Sequence, residues 1–415
     1  MAIRRKTSIR IMLVLVLLVI AALTAFFALA PGIVDRSQNP VADDELPEVS
    51  DEAESVHDRT VIMDMHSDSL LWKRDFLARH DNGHMDLPRL EEGNVALQVL
   101  SSVSKSLRGQ NIDGNDGDSD NITLLSFAQL QPPRTWTSLL QRSLYHAEKL
   151  EDAVADSDGR LTMIRTSRDI DDLLEARENG GQVTGAMFSV EGLHNLEGDR
   201  DNVQVLFDAG MRMAGFAHFF DNEVADSAHG RGHGGLTDLG RDVVADLEEL
   251  GVVIDLSHIS SESMDEILSI ATRPVVVSHG GVRGTCDNNR NLTDGQIRAV
   301  ADTGGVVGIG YWDTAVCGMT PSAVVDAIEH VISVAGIGSV GLGSDYDGSV
   351  EVGWDTSQIA VITDELLSRG HSEPDSGALW GENTGRALLD GGAFGGGGRG
   401  APPPRQGHGP RCTRG

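Results

Sequence analysis

The feature that most limits the fold is a rhythm of short, almost continuous apolar runs. They read TVIMDMH (60–66), VALQVLS (95–101), VTGAMFSVE (183–191), MRMAGFAH (211–218), VVIDLSH (252–258), PVVVSH (274–279), VVGIGY (306–311) and VGLGSD (340–345). Apolar runs without polar alternation fit parallel strands covered on both faces. Amphipathic stretches with helix punctuation separate several of them. LTDLGRDVVADLEELG (236–251) offers Thr237 as N-cap and Gly251 as stop, and SSESMDEILSIA (260–271) opens on serines and acidic residues. LTDGQIRAVADTGG (292–305) and TPSAVVDAIEHVISVAG (320–336) follow the same plan. Strand and helix in alternation imply a parallel sheet, and eight such strands fit an α/β fold, a closed (β/α)8 TIM barrel over residues 56–390. An open doubly wound sheet is the other arrangement, but no GxGxxG turn follows the first strand.

The flanks differ in character. Arg4, Arg5, Lys6 and Arg10 precede an apolar run from Ile11 to Ala30 whose only polar member is Thr24. A helix of that length matches the ~30 Å bilayer core. Residues 1–34 therefore read as a signal anchor or a cleaved signal peptide, either of which places the domain outside the cytoplasm. Residues 35–55 read as an acidic linker, and 391–415, rich in glycine, proline and arginine, as a low-complexity tail. Inside the barrel region, 104–136 reads as a long solvated loop. Its NIDGNDGDSDN stretch fails the calcium-loop pattern, because counting from Asp116 puts Asn121 at the turn glycine and Phe127 at the last carboxylate. LTMIR (161–165) reads as an extra strand outside the barrel.

A formal net charge of −30 repels phosphate backbones and argues against a nucleic-acid partner. The three cysteines form no CxxC pair, so a thiolate metal site has no ligands. Cys286 and Cys317 are free to pair in an exported domain, although sequence does not give their distance.

The chemistry lies in what ends the strands. The first closes with Asp64-Met65-His66-Ser67-Asp68, and later ones with Glu191, His218, His258, His279, Tyr311 and Asp345. In a (β/α)8 barrel the C-terminal strand ends face one bowl, so these side chains converge. Imidazoles and carboxylates together suit zinc and related divalent ions. His66 and Asp68, two apart on extended backbone, point the same way. Arg290, in DNNRN (287–291), either clamps a substrate carboxylate or stabilises its loop. Asp255 and Ser278 either orient nearby ligands or are structural.

These residues stand in longer motifs: DMHSD, GHMDLPRL, SVEGLHNLEGD, AHFFDN, GLTDLGRDVV, VIDLSHIS, VVVSHGGVRGTCDNNRNLTD, GSDYDG and GENTGRALL. Together, from about Val61 to Leu389, the chain resembles the membrane dipeptidase (renal dipeptidase) family of metal-dependent amidohydrolase-like barrels. The resemblance implies hydrolysis of dipeptides at two Zn2+ per chain with a bridging hydroxide. It implies His66 and Asp68 as ligands of one zinc, Glu191 as the bridge, and His258 and His279 as ligands of the other. It gives His218 the scissile carbonyl, Arg290 the terminal carboxylate with Tyr311 as a neighbour, and Asp345 the catalytic water and its proton. Ser67 and Ser69 depart from the HNDLP that relatives often carry, which bears on pocket shape. Expected partners are a small dipeptide and, if the N-terminal segment is uncleaved, the membrane; a homodimer is left open. Two other functions fit a barrel of this kind: a metal-dependent hydrolase of lactones, cyclic amides or phosphoesters, and an inactive surface binding module.

Overall fold

The computed structural model describes residues 2–42 and 45–392. Nine parallel strands form the sheet: β1 (Ile62–Asp64), β2 (Val95–Val103), β3 (Leu161–Met163), β4 (Thr184–Glu191), β5 (Met211–Gly215), β6 (Val253–Asp255), β7 (Val276–Gly280), β8 (Val306–Ile309) and β9 (Val340–Leu342). The order β2-β1-β9-β8-β7-β6-β5-β4 closes into an eight-stranded barrel because β2 also pairs with β4. That closing register runs from Leu97↔Gly185 to Val103↔Glu191, so Glu191 sits at the upper rim. β3 lies outside the ring on β4, as LTMIR predicted. The residues of the eight barrel strands are buried, which is why their runs carry no alternation.

The helices end where their caps dictate. Thr237 accepts from Gly240 N to start Asp238–Leu250, and Gly251 stops it with φ 71°. Ser260 caps Ser261–Ile270, Thr293 caps Asp294–Asp302 in a capping box with Gln296, and Thr320 caps Pro321–Ala335. Cys286 and Cys317 are disulfide-bonded, with Cα atoms 5.3 Å apart.

Three segments differ from their sequence reading. The N-terminal helix spans Ala2–Gln38, passing through Pro31; its Ile9–Gln38 portion is long and apolar enough to cross a membrane. The stretch read as an acidic linker is docked onto the domain. Asp35 and Asn39 are buried, Val41 bridges to Val352, and Asp51–Arg59 forms a helix capped by Ser50. Arg74 is the reason: its Nε donates to Asp35 Oδ2 at 2.8 Å, while its Nη2 lies 2.7 Å from Asp347 Oδ2. Loop 104–136 is ordered as well, while many of its side chains, Asp113 and Asp116 among them, stay exposed. It carries a helix, Ile122–Ala128, and is pinned by Arg142, which donates to Ser104 O and pairs with Asp120 at 2.7 Å. Of the tail, Gly391 ends the last helix, Asn383–Gly391, and residues from 393 onward lie outside the described part.

Arg74 neutralises two buried carboxylates at once, so Arg74→Met should cost about 3–5 kcal/mol in urea unfolding, whereas exposed Arg168→Met should cost little. His146, fully buried with Nδ1 2.8 Å from Ser102 Oγ, is held down to about 3 by burial. Below pH 6.5 the unfolded chain takes up a proton there that the folded chain refuses, so stability falls by about 1.4 kcal/mol per pH unit until its folded value is reached. The His146→Gln variant should lose less stability than the parent between pH 7 and 5, by about 2 kcal/mol. Equal losses would show that His146 titrates normally when folded.

Candidate metal centre

Each group in the bowl is placed by the last residues of a strand or the turn after it. Glu191 ends β4, and His279 lies within β7. His66, His218, His258 and Asp345 sit two or three residues beyond the ends of β1, β5, β6 and β9, where the chain has left the ladder. Two of them need unusual backbone: His258 has φ 64° and Asp345 φ 57°, in the left-handed region that costs non-glycine residues energy. Gly192, directly after Glu191, has φ 90°, and a Cβ there would stand 2.5 Å from the His194 ring.

The side chains meet around Glu191. Its Oε1 lies 2.9 Å from His258 Nε2, 3.3 Å from His279 Nε2 and 3.6 Å from His66 Nε2. Its Oε2 lies 3.7 Å from His218 Nε2. His66 Nε2 is 3.5 Å from Asp68 Oδ1 and 3.9 Å from Asp345 Oδ1. Three groups of donors are close enough to share an ion: His66 with Asp68 and Asp345, His66 with Glu191 and His279, and Glu191 with His218 and His258. Glu191 and His66 each belong to two of these groups.

The electrostatics fit a cation. Burial pushes Glu191 well above the usual carboxylate range, reinforced by Asp68, and burial does the same to Asp68, reinforced by Asp347. Asp345 is pushed up to about 7, again by burial first. Burial holds His218, His258 and His279 well below the usual imidazole range, so their lone pairs are available. Both ring nitrogens of His66, Asp68 Oδ1 and Glu191 Oε2 are buried without a hydrogen-bond partner. Orphaned imidazole and carboxylate atoms at one point are what divalent ions such as zinc satisfy.

The surrounding residues fix this cluster. Asp255 accepts from Ser257 N and Ser278 N, and Ser278 Oγ links Asp255 Oδ2 (2.6 Å) to His279 Nδ1 (2.8 Å), so this pair orients a histidine. Asp64 accepts from His66 N and Ser344 N, bracing the turns after β1 and β9. Ser69 donates to Asp347 Oδ2 at 2.5 Å, and Asp347 shares the turn of Asp345. Arg290 is half-buried in the bowl, with Nη1 2.9 Å from His258 Nδ1 and its guanidinium over the Trp312 ring at 5.0 Å. Tyr311 packs edge-on against Tyr346 and beside Trp354, its hydroxyl buried without a partner.

Sequence reasoning passed over His229. It is fully buried, stacked on Phe219 with centroids 4.3 Å apart and 5.4 Å from the His258 ring; Nδ1 meets Ile112 O, and Nε2 lacks a partner. Its glycine-rich loop ends no strand, so periodicity gave it no mark. The same contact brings loop 104–136 over the bowl, where Asn115 Nδ2 donates to His229 O and Asn289, beside Arg290, donates to Ile112 O.

Known proteins resemble this chain in sequence and in fold. A dipeptidase of Aspergillus oryzae, aclJ, is 28% identical over 361 residues, 81% of this chain and 79% of its own length. An uncharacterized dipeptidase of Schizosaccharomyces pombe is 28% identical, covering 73% of this chain and 72% of its own. The fold matches the probable dipeptidase PvdM of Pseudomonas aeruginosa with TM-score 0.67 at 21% identity, over 83% of this chain and 98% of that one. It also matches a metallo peptidase of Rhodobacter sphaeroides liganded with a phosphinate mimic of the dipeptide L-Ala-D-Ala, with TM-score 0.66 at 21% identity, over 80% and 99%. The family model for membrane dipeptidases matches residues 50–390, most of the chain and all of the barrel. The chain therefore belongs to the membrane dipeptidase family (Peptidase family M19), and is by family a metallo-dipeptidase.

Proposed function

We propose that this protein hydrolyses dipeptides outside the cytoplasm at a pair of zinc ions held by His66, Asp68, Glu191, His258 and His279. The observation that carries this reading is Glu191, whose one carboxylate lies within 3.7 Å of four imidazoles in the bowl. A carboxylate so placed suits a bridge between two ions, with His66 and Asp68 on one side and the later histidines on the other. Zinc, when bound, lowers the pKa of a shared water toward ~7 and polarises the peptide carbonyl.

The chain's own residues supply the rest. His218, neutral and 3.7 Å from Glu191, presents an imidazole to the substrate carbonyl and stabilises charge that develops there. Asp345, beside His66, accepts the proton of the attacking water and returns it to the leaving amine. Arg290 turns from His258 to the substrate's terminal carboxylate, with Tyr311 in the wall nearby. A carboxylate anchor so near the metals leaves room for about two residues, which favours dipeptides over longer chains, and the ligand of the Rhodobacter sphaeroides relative supports that class. The apolar N-terminal helix with its basic flank supports a membrane anchor whose C-terminal side faces outward.

Metal analysis of the purified protein should find about two zinc per chain, with dipeptide hydrolysis lost on chelation and restored by zinc. A metal-free protein of full activity would overturn the reading. Arg290→Ala should lower kcat/KM roughly 30-fold or more for dipeptides with a free carboxylate, and far less for their amides. An equal loss on both would remove Arg290 from carboxylate binding.

A further inference from the structure

Five large apolar side chains beyond the N-terminal helix are exposed among the described residues, and three fall together: Leu124 (62%), Phe127 (39%) and Leu130 (60%). They lie on and just past the helix Ile122–Ala128, which packs against the N-terminal helix. Leu130 is held in the left-handed region, φ 59°, where an exposed leucine gains nothing from folding. The contact between the two helices is aromatic. Phe27 meets Phe127 edge-on with centroids 5.3 Å apart, and the row continues to Phe26 at 5.2 Å on one side and Trp136 at 5.2 Å on the other.

Depth along the anchor decides what this face meets. The apolar run ends at Ala30, and Phe27 lies three residues earlier, about 4.5 Å of helix rise inside that edge. Aromatic residues favour that level of a bilayer, and amphipathic segments bury their apolar face to about 5–10 Å there. Charge agrees. In a chain of net charge −30, the stretch NITLLSFAQLQPPRTW (121–136) contains no acidic residue and one arginine, Arg134.

We propose that residues 122–130 form a lipid-contacting shelf that enters the headgroup region beside the anchor helix. The shelf rests on the anchored reading of the N-terminus given above. It belongs to the loop that roofs the metal centre, so the barrel touches the bilayer at a second point.

The test uses the full-length chain in phosphatidylcholine vesicles whose lipids carry bromine at shallow or deep acyl positions. Leu124→Trp should emit to the blue of the parent and be quenched strongly by shallow bromines. Val205→Trp, also at an exposed position (40%) but on another helix, should match the parent. The double variant Leu124→Asp/Leu130→Asp should keep dipeptide hydrolysis and its unfolding midpoint while quenching of Trp136 by shallow bromines falls. An unquenched Leu124→Trp on a chain that floats with the vesicles would overturn the shelf and leave the anchor standing, pointing to water or a protein partner on that face. A chain that does not float with vesicles would overturn both.

Discussion

The structure is organised around charge that must be buried. Asp64, Asp68, Glu191 and Asp345 occupy the rim of one barrel with four imidazoles between them, almost closed to water. Burial, more than any other cause, pushes Glu191, Asp68 and Asp345 above the usual carboxylate range and so disfavours their charged forms. Cations resolve the conflict, and the strained backbone of His258 and Asp345 is the conformational cost of aiming the donors at them. The barrel gives this arrangement stiffness. Its strands are short, three residues at β1, β6 and β9, so the donors stand on turns that are in turn held by Asp64 and Asp255 through backbone amides.

Much of this was legible in the sequence because it is local. A strand buried on both faces leaves an unbroken apolar run, and a helix start leaves a serine or threonine; each can be read without knowing its neighbours. The candidate site residues were legible for a second reason: in a parallel barrel, whatever ends a run lies at the same rim. His66, Glu191, His218, His258, His279 and Asp345 do meet there, although the ladders stop short of most of them.

The parts that escaped are those set by distant partners. Asp35 looked like one of many acidic residues in a polar stretch until Arg74, thirty-nine positions on, was placed beside it. Loop 104–136 looked solvated because its order comes from Arg142 and from the backbone of His229, neither of which alters its own composition. His229 lacked both period and motif. Burial of a side chain by another part of the chain leaves no trace in the segment that contains it, unless a hydrophobic repeat goes with it.

The docking of Asp35 has a mechanical consequence. The helix from the apolar run continues unbroken to Gln38, and its last turn is bonded into the barrel through Arg74 and Asn39. No swivel separates the two. An enzyme on a slack tether samples every tilt and spins its mouth past solvent and lipid alike. If the apolar run anchors the protein as proposed, the barrel is mounted like a lamp on a fixed post and shows its opening in a single direction.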